Sequence, residues 1–244
     1  MRERNRTAAV VSEKQAIRER IWSLLEQRRV ARFPGARGRI PNFVGAEACA
    51  DQLVKIEPWR QAQSVKANPD SPQTAIRRRA LKEGKIVYMA RPRLREQRCF
   101  LELDPRRISN PSKAASIAGA GHYGHPVGPE EMRPVELIVC GSVVVNRRGQ
   151  RLGKGSGYSD LEYALARKAG LISDATPILT TVHPLQIVDE ELPWQPHDIP
   201  VDYIVTPDEV IRTVPSRPRP SGILWEFLDE EKIAAIPLLK QIRP

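Results

Sequence analysis

The sequence predicts an α/β fold in three layers: an open, mainly parallel sheet with helices on both faces. Short apolar segments rich in β-branched residues alternate along the chain with segments of helical periodicity. Strands joined through a helix pair in parallel, because the connection returns to the edge of the sheet where the first strand began. The chain has 244 residues, which is enough for one large domain with a buried core.

The helices are predicted from capping residues and apolar spacing. The first is expected to begin at Ser12, in a capping box, and to run to about Arg32, with Ile17 and Ile21 on its apolar stripe. About six strands follow the period-two and β-branched patterns. They are residues 64–67, 86–89, 99–103, 138–141 continued by 143–145, 178–182 and 203–205; residues 46–55, 74–82 and 208–212 are predicted to be helical.

Three parts of the chain are expected: a basic leader (1–10), the α/β domain (11–213), and a Pro-rich linker with a helical extension (214–244). Residues 109–134 are rich in Gly, Pro, Ser and His. Such a long connection is more often functional than a short one, so we expect it to form a lid that covers a binding site.

Charge and cysteine content limit the classes of function. The net charge is +10, and residues 1–40 hold 11 Lys or Arg against 4 Glu, which suits a polyanion such as a nucleoside triphosphate or a nucleic acid. A solvated basic tail explains about half of this excess without a ligand. The cysteines stand singly, which indicates no zinc site or disulfide framework and favours a cytoplasmic protein. They are Cys49, Cys99 and Cys140.

The sequence also gives no indication of a membrane protein. The residues after Met1 form no apolar signal segment, and the longest apolar run, residues 137–145, is too short to span a bilayer. We therefore expect neither secretion nor membrane insertion.

A glycine-rich segment is the strongest local signal. Residues 151–160 read Arg-Leu-Gly-Lys-Gly-Ser-Gly-Tyr-Ser-Asp and open into an amphipathic helix that ends near Gly170. Alternate glycines allow positive φ and let several N–H groups point at one spot, and a following helix N-terminus adds a positive dipole. The segment predicts a phosphate-binding loop, although its spacing alone is more often that of a flexible connection.

Two further patterns stay open on spacing alone. Lys14 and Arg18 lie four residues apart on one edge of the first helix, where they either hold one anion together or are solvated separately. His122 and His125 have a spacing found in metal sites, but the sequence offers no third ligand beside them.

Together, three segments in this order resemble the 5-formyltetrahydrofolate cyclo-ligase family, also called methenyltetrahydrofolate synthetases. They are Lys14 with Arg18, the loop 151–160, similar to the family's Arg-Leu-Gly-x-Gly-x-Gly-Tyr-Tyr-Asp signature, and residues 192–206 with His197-Asp198. The resemblance covers about residues 12–213. Residues 65–70, 91–94, 153–163 and 217–237 are similar to a divergent branch, the methenyltetrahydrofolate synthetase domain-containing proteins.

The resemblance implies an ATP- and Mg²⁺-dependent ligase that converts 5-formyltetrahydrofolate into 5,10-methenyltetrahydrofolate, with ADP and phosphate released. It implies that Asp160 positions Mg²⁺ and that Lys154 and Tyr158 act in catalysis, whereas by themselves Asp160 is an ordinary helix N-terminal acid and Tyr158 an ordinary core aromatic. The residues it assigns to ATP are Lys14, Arg18, Arg151, Gly153, Lys154, Gly155, Ser156, Gly157 and Tyr158.

Departures from the family pattern cluster on the substrate side. Ser159 stands where the family signature has its second Tyr, and the expected substrate carboxylate falls near Asp70 or Ser71. The strand end at 140–146 lacks the family's aromatic and acid and finishes in Asn146, while the aromatic of the long loop would be Tyr123. Two alternatives therefore stay open: a nucleotide-binding paralogue acting on a non-folate heterocycle, and an RNA-binding accessory protein.

Overall fold

A computed structural model describes residues 2–214 and 216–243, with side chains from Thr7 onward. Eleven strands and nine helices lie in these ranges. The strands are β1 (Ser64–Ala67), β2 (Ile86–Ala90), β3 (Phe100–Leu103), β4 (His125–Val127), β5 (Leu137–Gly141), β6 (Val144–Asn146), β7 (Arg151–Leu152), β8 (Ile178–Thr181), β9 (Ile187–Val188), β10 (Tyr203–Val205) and β11 (Val210–Arg212). The helices are α1 (Arg2–Gln27), α2 (Cys49–Gln52), α3 (Glu57–Gln61), α4 (Thr74–Lys82), α5 (Pro111–Ala114), α6 (Ile117–Tyr123), α7 (Tyr158–Lys168), α8 (Glu230–Ala235) and α9 (Pro237–Ile242).

The main sheet has eight strands in the order β11-β10-β8-β5-β1-β2-β3-β4. Its five central strands pair in parallel, and antiparallel pairs complete both edges. A second, small sheet has the order β7-β6-β9 and carries the start of the glycine-rich loop. The predicted open, mainly parallel sheet is confirmed.

Helices cover both faces of the main sheet because alternate strand residues point to opposite sides. In β2, Tyr88 belongs to one buried cluster, with residues of α7, α8 and α9, whereas Val87 and Met89 belong to another, with residues of α3, α4 and α6. The strands are buried on both faces, as in parallel sheets generally. The predicted three layers are therefore present.

Helix α1 packs on the small sheet through its predicted apolar stripe: Ile21 is buried in the same cluster as residues of β6 and β7. Its buried residues include Lys14, Arg18 and Leu25, which recur at helical spacing, and Leu25 packs in a cluster with residues of β6 and β7. Ile17 is only partly buried. The helix begins at Arg2, so Ser12 lies inside it and the predicted capping box is wrong.

Three other sequence predictions need correction. Residues 208–212 form no helix: Val210–Arg212 are strand β11, which pairs with β10 in an antiparallel hairpin. The predicted helix over 46–55 is reduced to α2 and a 3-10 turn. The C-terminal helical segment is split into α8 and α9, since Pro237 disfavours helical geometry at Ile236.

The long segment 109–134 is ordered, with α5, α6, β4 and a 3-10 turn at Pro129–Glu131. It is therefore not a structureless connection, and Ile117 from it lines the main cavity, while its role as a lid stays a prediction. Within the described residues, no helix is both long and apolar enough to cross a bilayer.

Arg77 fixes the turn that follows β1. Its side chain is fully buried and donates to the carbonyl oxygens of Asn68, Asp70 (3.1 Å) and Ala115 (2.8 Å). Burial lowers the pKa of Arg77 to about 10, so the guanidinium is still charged at neutral pH. One buried cation thus joins the turn after β1 to the segment that carries α5 and α6.

We predict that Arg77→Met lowers the free energy of unfolding by at least ~3 kcal/mol, because several buried carbonyl groups lose their donor. The matched control is Arg78→Met, which removes an ion pair with the exposed Glu47 and is expected to cost less than about 1 kcal/mol. Urea unfolding measures both. Equal stability of the two variants would contradict the bracing role of Arg77.

Candidate functional site

A cavity of about 970 Å³ lies at the carboxyl ends of the central strands. Asn68 and Gly141, at the ends of β1 and β5, line it, and so does Ala90 at the end of β2. From β1 the chain continues to β2, which lies on one side of it in the sheet. From β5 it continues toward β8, which lies on the opposite side, so the strand order reverses between β1 and β5. Open α/β sheets bind ligands at such a reversal.

All ten residues that the sequence assigns to ATP or Mg²⁺ line this one cavity. They come from α1, from the glycine-rich loop and from the first turn of α7, which are far apart in sequence. Their convergence is a structural observation, while their individual roles stay predictions. They are Lys14, Arg18, Arg151, Gly153, Lys154, Gly155, Ser156, Gly157, Tyr158 and Asp160.

The glycine-rich loop requires glycine at two positions. Gly155 has φ +97° and Gly157, the N-terminal cap of α7, has φ +68°, both in the left-handed region that other residues rarely adopt. A Cβ atom on Gly155 would also lie 3.4 Å from the Arg18 guanidinium carbon. The loop therefore combines positive φ with a close cation, as an anion-binding loop does.

Arg18 and Arg151 place two guanidinium groups beside the loop. Arg18 Nε donates to the Gly153 carbonyl at 2.7 Å, and desolvation lowers the pKa of Arg18, opposed by Asp198 and Asp160. Arg151 is buried and donates through one terminal nitrogen to Asp160 Oδ1 at 3.1 Å. Within the described part of the chain, its Nε and other terminal nitrogen have no partner, which leaves donors for an anionic ligand.

Lys14 and Lys154, two of the lysines that line the cavity, each pair with an aspartate. Lys14 Nζ is buried and donates to both carboxylate oxygens of Asp198 (2.8 and 2.6 Å) and to Gln195 Oε1 (3.0 Å). The backbone N–H of Gln195 also donates to the Asp198 carboxylate, so the contacts of Lys14 and Asp198 fix the segment before His197. Lys154 lies 3.5 Å from Asp70 Oδ1 and is much more exposed, with 42% of its side chain accessible.

His197 forms part of the cavity wall next to Asp198. Its ring packs against Phe227 with ring centroids 4.8 Å apart. Burial lowers the pKa of His197, and the Asp198 charge opposes this only partly. The imidazole is therefore neutral at pH 7 and serves as a wall contact for Phe227.

A buried polar cluster stands where the family pattern departs. Ser159 Oγ lies 3.4 Å from Asn68 Oδ1, and Asn68 Nδ2 donates to Glu162 Oε2 at 3.2 Å. Glu162 also forms a buried ion pair with Lys66 of β1. This cluster of Lys66, Asn68, Ser159 and Glu162 gives one side of the cavity a polar surface, of which Asn68, Ser159 and Glu162 line the cavity.

The other substrate-side predictions have mixed outcomes. Ser71 and Asp70 line the cavity, as expected. Asn146 does not belong to the substrate pocket: its Oδ1 accepts from the Arg148 and Gln150 amides and closes the turn between β6 and β7. Tyr123 packs against the core on the α4 side of the sheet, so its proposed place in the pocket is also wrong.

Sequence reasoning did not identify Lys66 and Glu162 as site residues, or Phe227 and Lys232 at all. A lysine in a buried strand is a usable signal for the first pair, because such a charge requires a partner. Lys232 lies beyond the Pro-rich segment, and its position depends on tertiary packing alone. Among the described residues no three His, Cys, Asp or Glu side chains cluster to hold a metal ion, and this includes His122 and His125.

Comparison with known proteins agrees with this geometry. The family model described as 5-formyltetrahydrofolate cyclo-ligase family matches residues 10–207. A methenyltetrahydrofolate synthase domain-containing protein from Bos taurus is 40% identical over 235 residues, covering 94% of this chain and 62% of the relative. The one from Homo sapiens is 39% identical over 241 residues, covering 96% and 62%. The chain thus spans less than two thirds of the length of these relatives.

Among solved structures, the fold is similar to the NMR structure of Aquifex aeolicus 5,10-methenyltetrahydrofolate synthetase. The TM-score is 0.52 at 22% identity, and the match covers 84% of this chain and 95% of that one. At this level of identity the likeness concerns the fold.

We predict that Asp198→Asn lowers the free energy of unfolding by about 3 to 5 kcal/mol, because Lys14 is left buried without its counter-charge. Glu190→Gln is the control: it removes the exposed ion pair with Arg20, on the same helix as Lys14, and should cost less than about 1 kcal/mol. Chemical denaturation compares the two. A loss below about 1 kcal/mol for Asp198→Asn would show that the Lys14 contact does not hold the site together.

A second prediction concerns pH. Because the pKa of His197 is lowered in the folded state, the unfolded chain binds more protons, and stability falls as the pH drops through about 6.5. We expect His197→Gln to lose less stability than the wild type between pH 7.5 and 5.5, in thermal or urea unfolding at each pH. Identical pH dependence of the two proteins would rule out a depressed pKa for His197.

Proposed function

Because the chain belongs to the 5-formyltetrahydrofolate cyclo-ligase family, we propose that this cavity uses ATP and Mg²⁺ to convert 5-formyltetrahydrofolate into 5,10-methenyltetrahydrofolate. One observation carries the proposal: the glycine-rich loop and the cations around it converge on a single cavity at the strand reversal. A triphosphate suits such a site, since it presents several negative charges to backbone N–H groups and guanidinium groups.

The proposed reaction has two steps. The formyl oxygen attacks the γ-phosphorus of ATP, the bond to the bridging oxygen breaks, and ADP leaves. N10 then attacks the activated formyl carbon and loses its proton, and the carbon–oxygen bond breaks, so that phosphate departs with the former formyl oxygen. In both steps the phosphoryl group carries negative charge, and fixed cations beside it stabilise that charge.

The chain's own basic residues supply the stabilising positive charge, and each does so at a different position. We assign Arg18 and Arg151 to binding, because both guanidinium groups are fixed and Arg151 retains unpartnered donors among the described residues. Lys154 is assigned to the transferring phosphoryl group, since its 3.5 Å contact with Asp70 is long and its side chain is partly exposed. Tyr158, at the start of α7, is proposed to close over the bound phosphates.

Asp160 fits a Mg²⁺ site that is shared with a nucleotide. It lines the cavity and one of its oxygens accepts from Arg151, and the described residues offer no cluster of three ligands. Mg²⁺ commonly takes one or two carboxylates and completes its shell with phosphate oxygens and water. When bound, the ion would neutralise charge on the nucleotide, and Arg151 would hold the Asp160 carboxylate in place for it.

A second candidate keeps the nucleotide site and changes the acceptor to a non-folate heterocycle. The polar cluster around Lys66 and Glu162 favours it, because Ser159 replaces the aromatic side chain that the family signature places there. Thermal unfolding with Mg-ATP plus either folates or other heterocycles separates the two, since a ligand that binds only the folded state raises its stability.

We predict that the wild type forms 5,10-methenyltetrahydrofolate from ATP, Mg²⁺ and 5-formyltetrahydrofolate, and absorbance measures the product. We also predict that Arg18→Met raises the Kd for ATP at least tenfold. The reason is the loss of a charge-assisted contact to phosphate. Arg20→Met is the control on the same helix, because Arg20 is exposed and pairs with Glu190.

The outcomes separate the two halves of the proposal. ATP binding without methenyl product would eliminate the folate assignment and leave the second candidate. Unchanged ATP affinity in Arg18→Met would contradict the placement of the phosphates at the glycine-rich loop.

A further inference from the structure

The C-terminal segment, residues 216–243, forms one wall of the cavity. Phe227 and Lys232 from this segment line the cavity together with the glycine-rich loop and α1. The family model ends at residue 207, so this wall lies outside the domain that defines the family.

Lys232 lies directly against the glycine-rich loop. Its Nζ donates to the Ser156 carbonyl at 3.0 Å and lies 5.5 Å from the centre of the Tyr158 ring. A Cβ atom on Gly157 would be 3.3 Å from the same nitrogen. The ammonium group is thus next to three consecutive residues of the predicted phosphate-binding loop.

This lysine is held in place by packing. The Lys232 amide donates to the side chain of Asp229, which caps α8. Ile233 and Ile236 are buried in the core cluster that contains residues of α7. The helix that carries Lys232 is therefore fixed to the helix that follows the loop.

The charges around the loop divide into two groups. Lys14, Arg151 and Lys154 each form an ion pair with an aspartate. Arg18 and Lys232 instead donate to the carbonyl oxygens of Gly153 and Ser156, and neither forms an ion pair with a carboxylate of the described ranges. Two positive charges without a paired acid thus flank one loop, an arrangement that a bound anion would complete.

We propose that Lys232 is a further phosphate-binding residue, which the C-terminal segment contributes to the same triphosphate site as Arg18. One of its three N–H donors holds the loop, and the others remain for phosphate oxygens. This inference rests on the proposed function, because it assigns an additional contact to the nucleotide in that site.

The test measures the Kd of the full chain for Mg-ATP and for inorganic tripolyphosphate by titration calorimetry. Lys232→Met is expected to raise both Kd values about tenfold, as loss of one charge-assisted contact should. Lys232→Arg keeps the charge and should stay within about threefold of the wild type. The control is Lys240→Met, an exposed lysine of α9 in the same segment, which should leave both Kd values unchanged.

Each outcome decides the inference. If Lys232→Met binds both ligands as the wild type does while Arg18→Met does not, the Lys232 assignment is overturned and the proposed function stands. If Lys240→Met weakens binding as much as Lys232→Met, the effect is one of general charge and the assignment also fails. If the wild type binds neither ligand, the proposed function and this inference fall together. Thermal unfolding of each variant confirms that the compared proteins are folded.

Discussion

The contact between α1 and the glycine-rich loop is the interaction on which the rest of the site depends. Arg18 Nε reaches the Gly153 carbonyl across 135 residues of sequence, and one turn earlier Lys14 reaches Asp198 across 184. Apolar packing of α1 against β6 and β7 places both cations, because Leu25 continues the same buried stripe. The start of the chain, its central loop and the segment around His197 therefore share one cavity only while α1 is docked. A substitution that disrupts this packing would displace the Lys14 and Arg18 cations from the site without changing any residue of the loop.

The charged groups of the cavity are arranged before any ligand binds. Three cations are each held by an aspartate, and two more by loop carbonyls, so little reorganisation is needed when a polyanion enters. Burial raises the cost of an unpaired charge, and these partners offset that cost in the free protein. On the other side of the cavity, the buried Lys66–Glu162 pair with Asn68 and Ser159 gives a polar surface. The proposed phosphate side and the proposed acceptor side of the site thus differ in chemistry: the first carries cations and loop amides, and the second a buried ion pair with polar side chains.

Local signals in the sequence predict the sheet, the three layers and the glycine-rich loop, because strand and helix periodicity and glycine φ are properties of neighbouring residues. Lys14 and Arg18 are identified through the family resemblance and not by local signals. Both are buried beside the predicted apolar stripe because Asp198 and the Gly153 carbonyl are their partners. Asn146 and residues 208–212 were assigned wrongly because turn closure and pairing with β10 override their local patterns. Lys232 has no local signal: only the docking of α8 beside α7 brings it to Ser156.

The most direct test of the proposed chemistry follows the formyl oxygen. 5-Formyltetrahydrofolate labelled with ¹⁸O in the formyl group is incubated with the protein, ATP and Mg²⁺, and the released phosphate is examined by mass spectrometry. We predict one ¹⁸O atom in phosphate for each methenyl product formed, because the oxygen leaves its carbon as part of phosphate. Unlabelled phosphate, or ATP consumption without methenyl product, would contradict phosphoryl transfer to folate in this cavity.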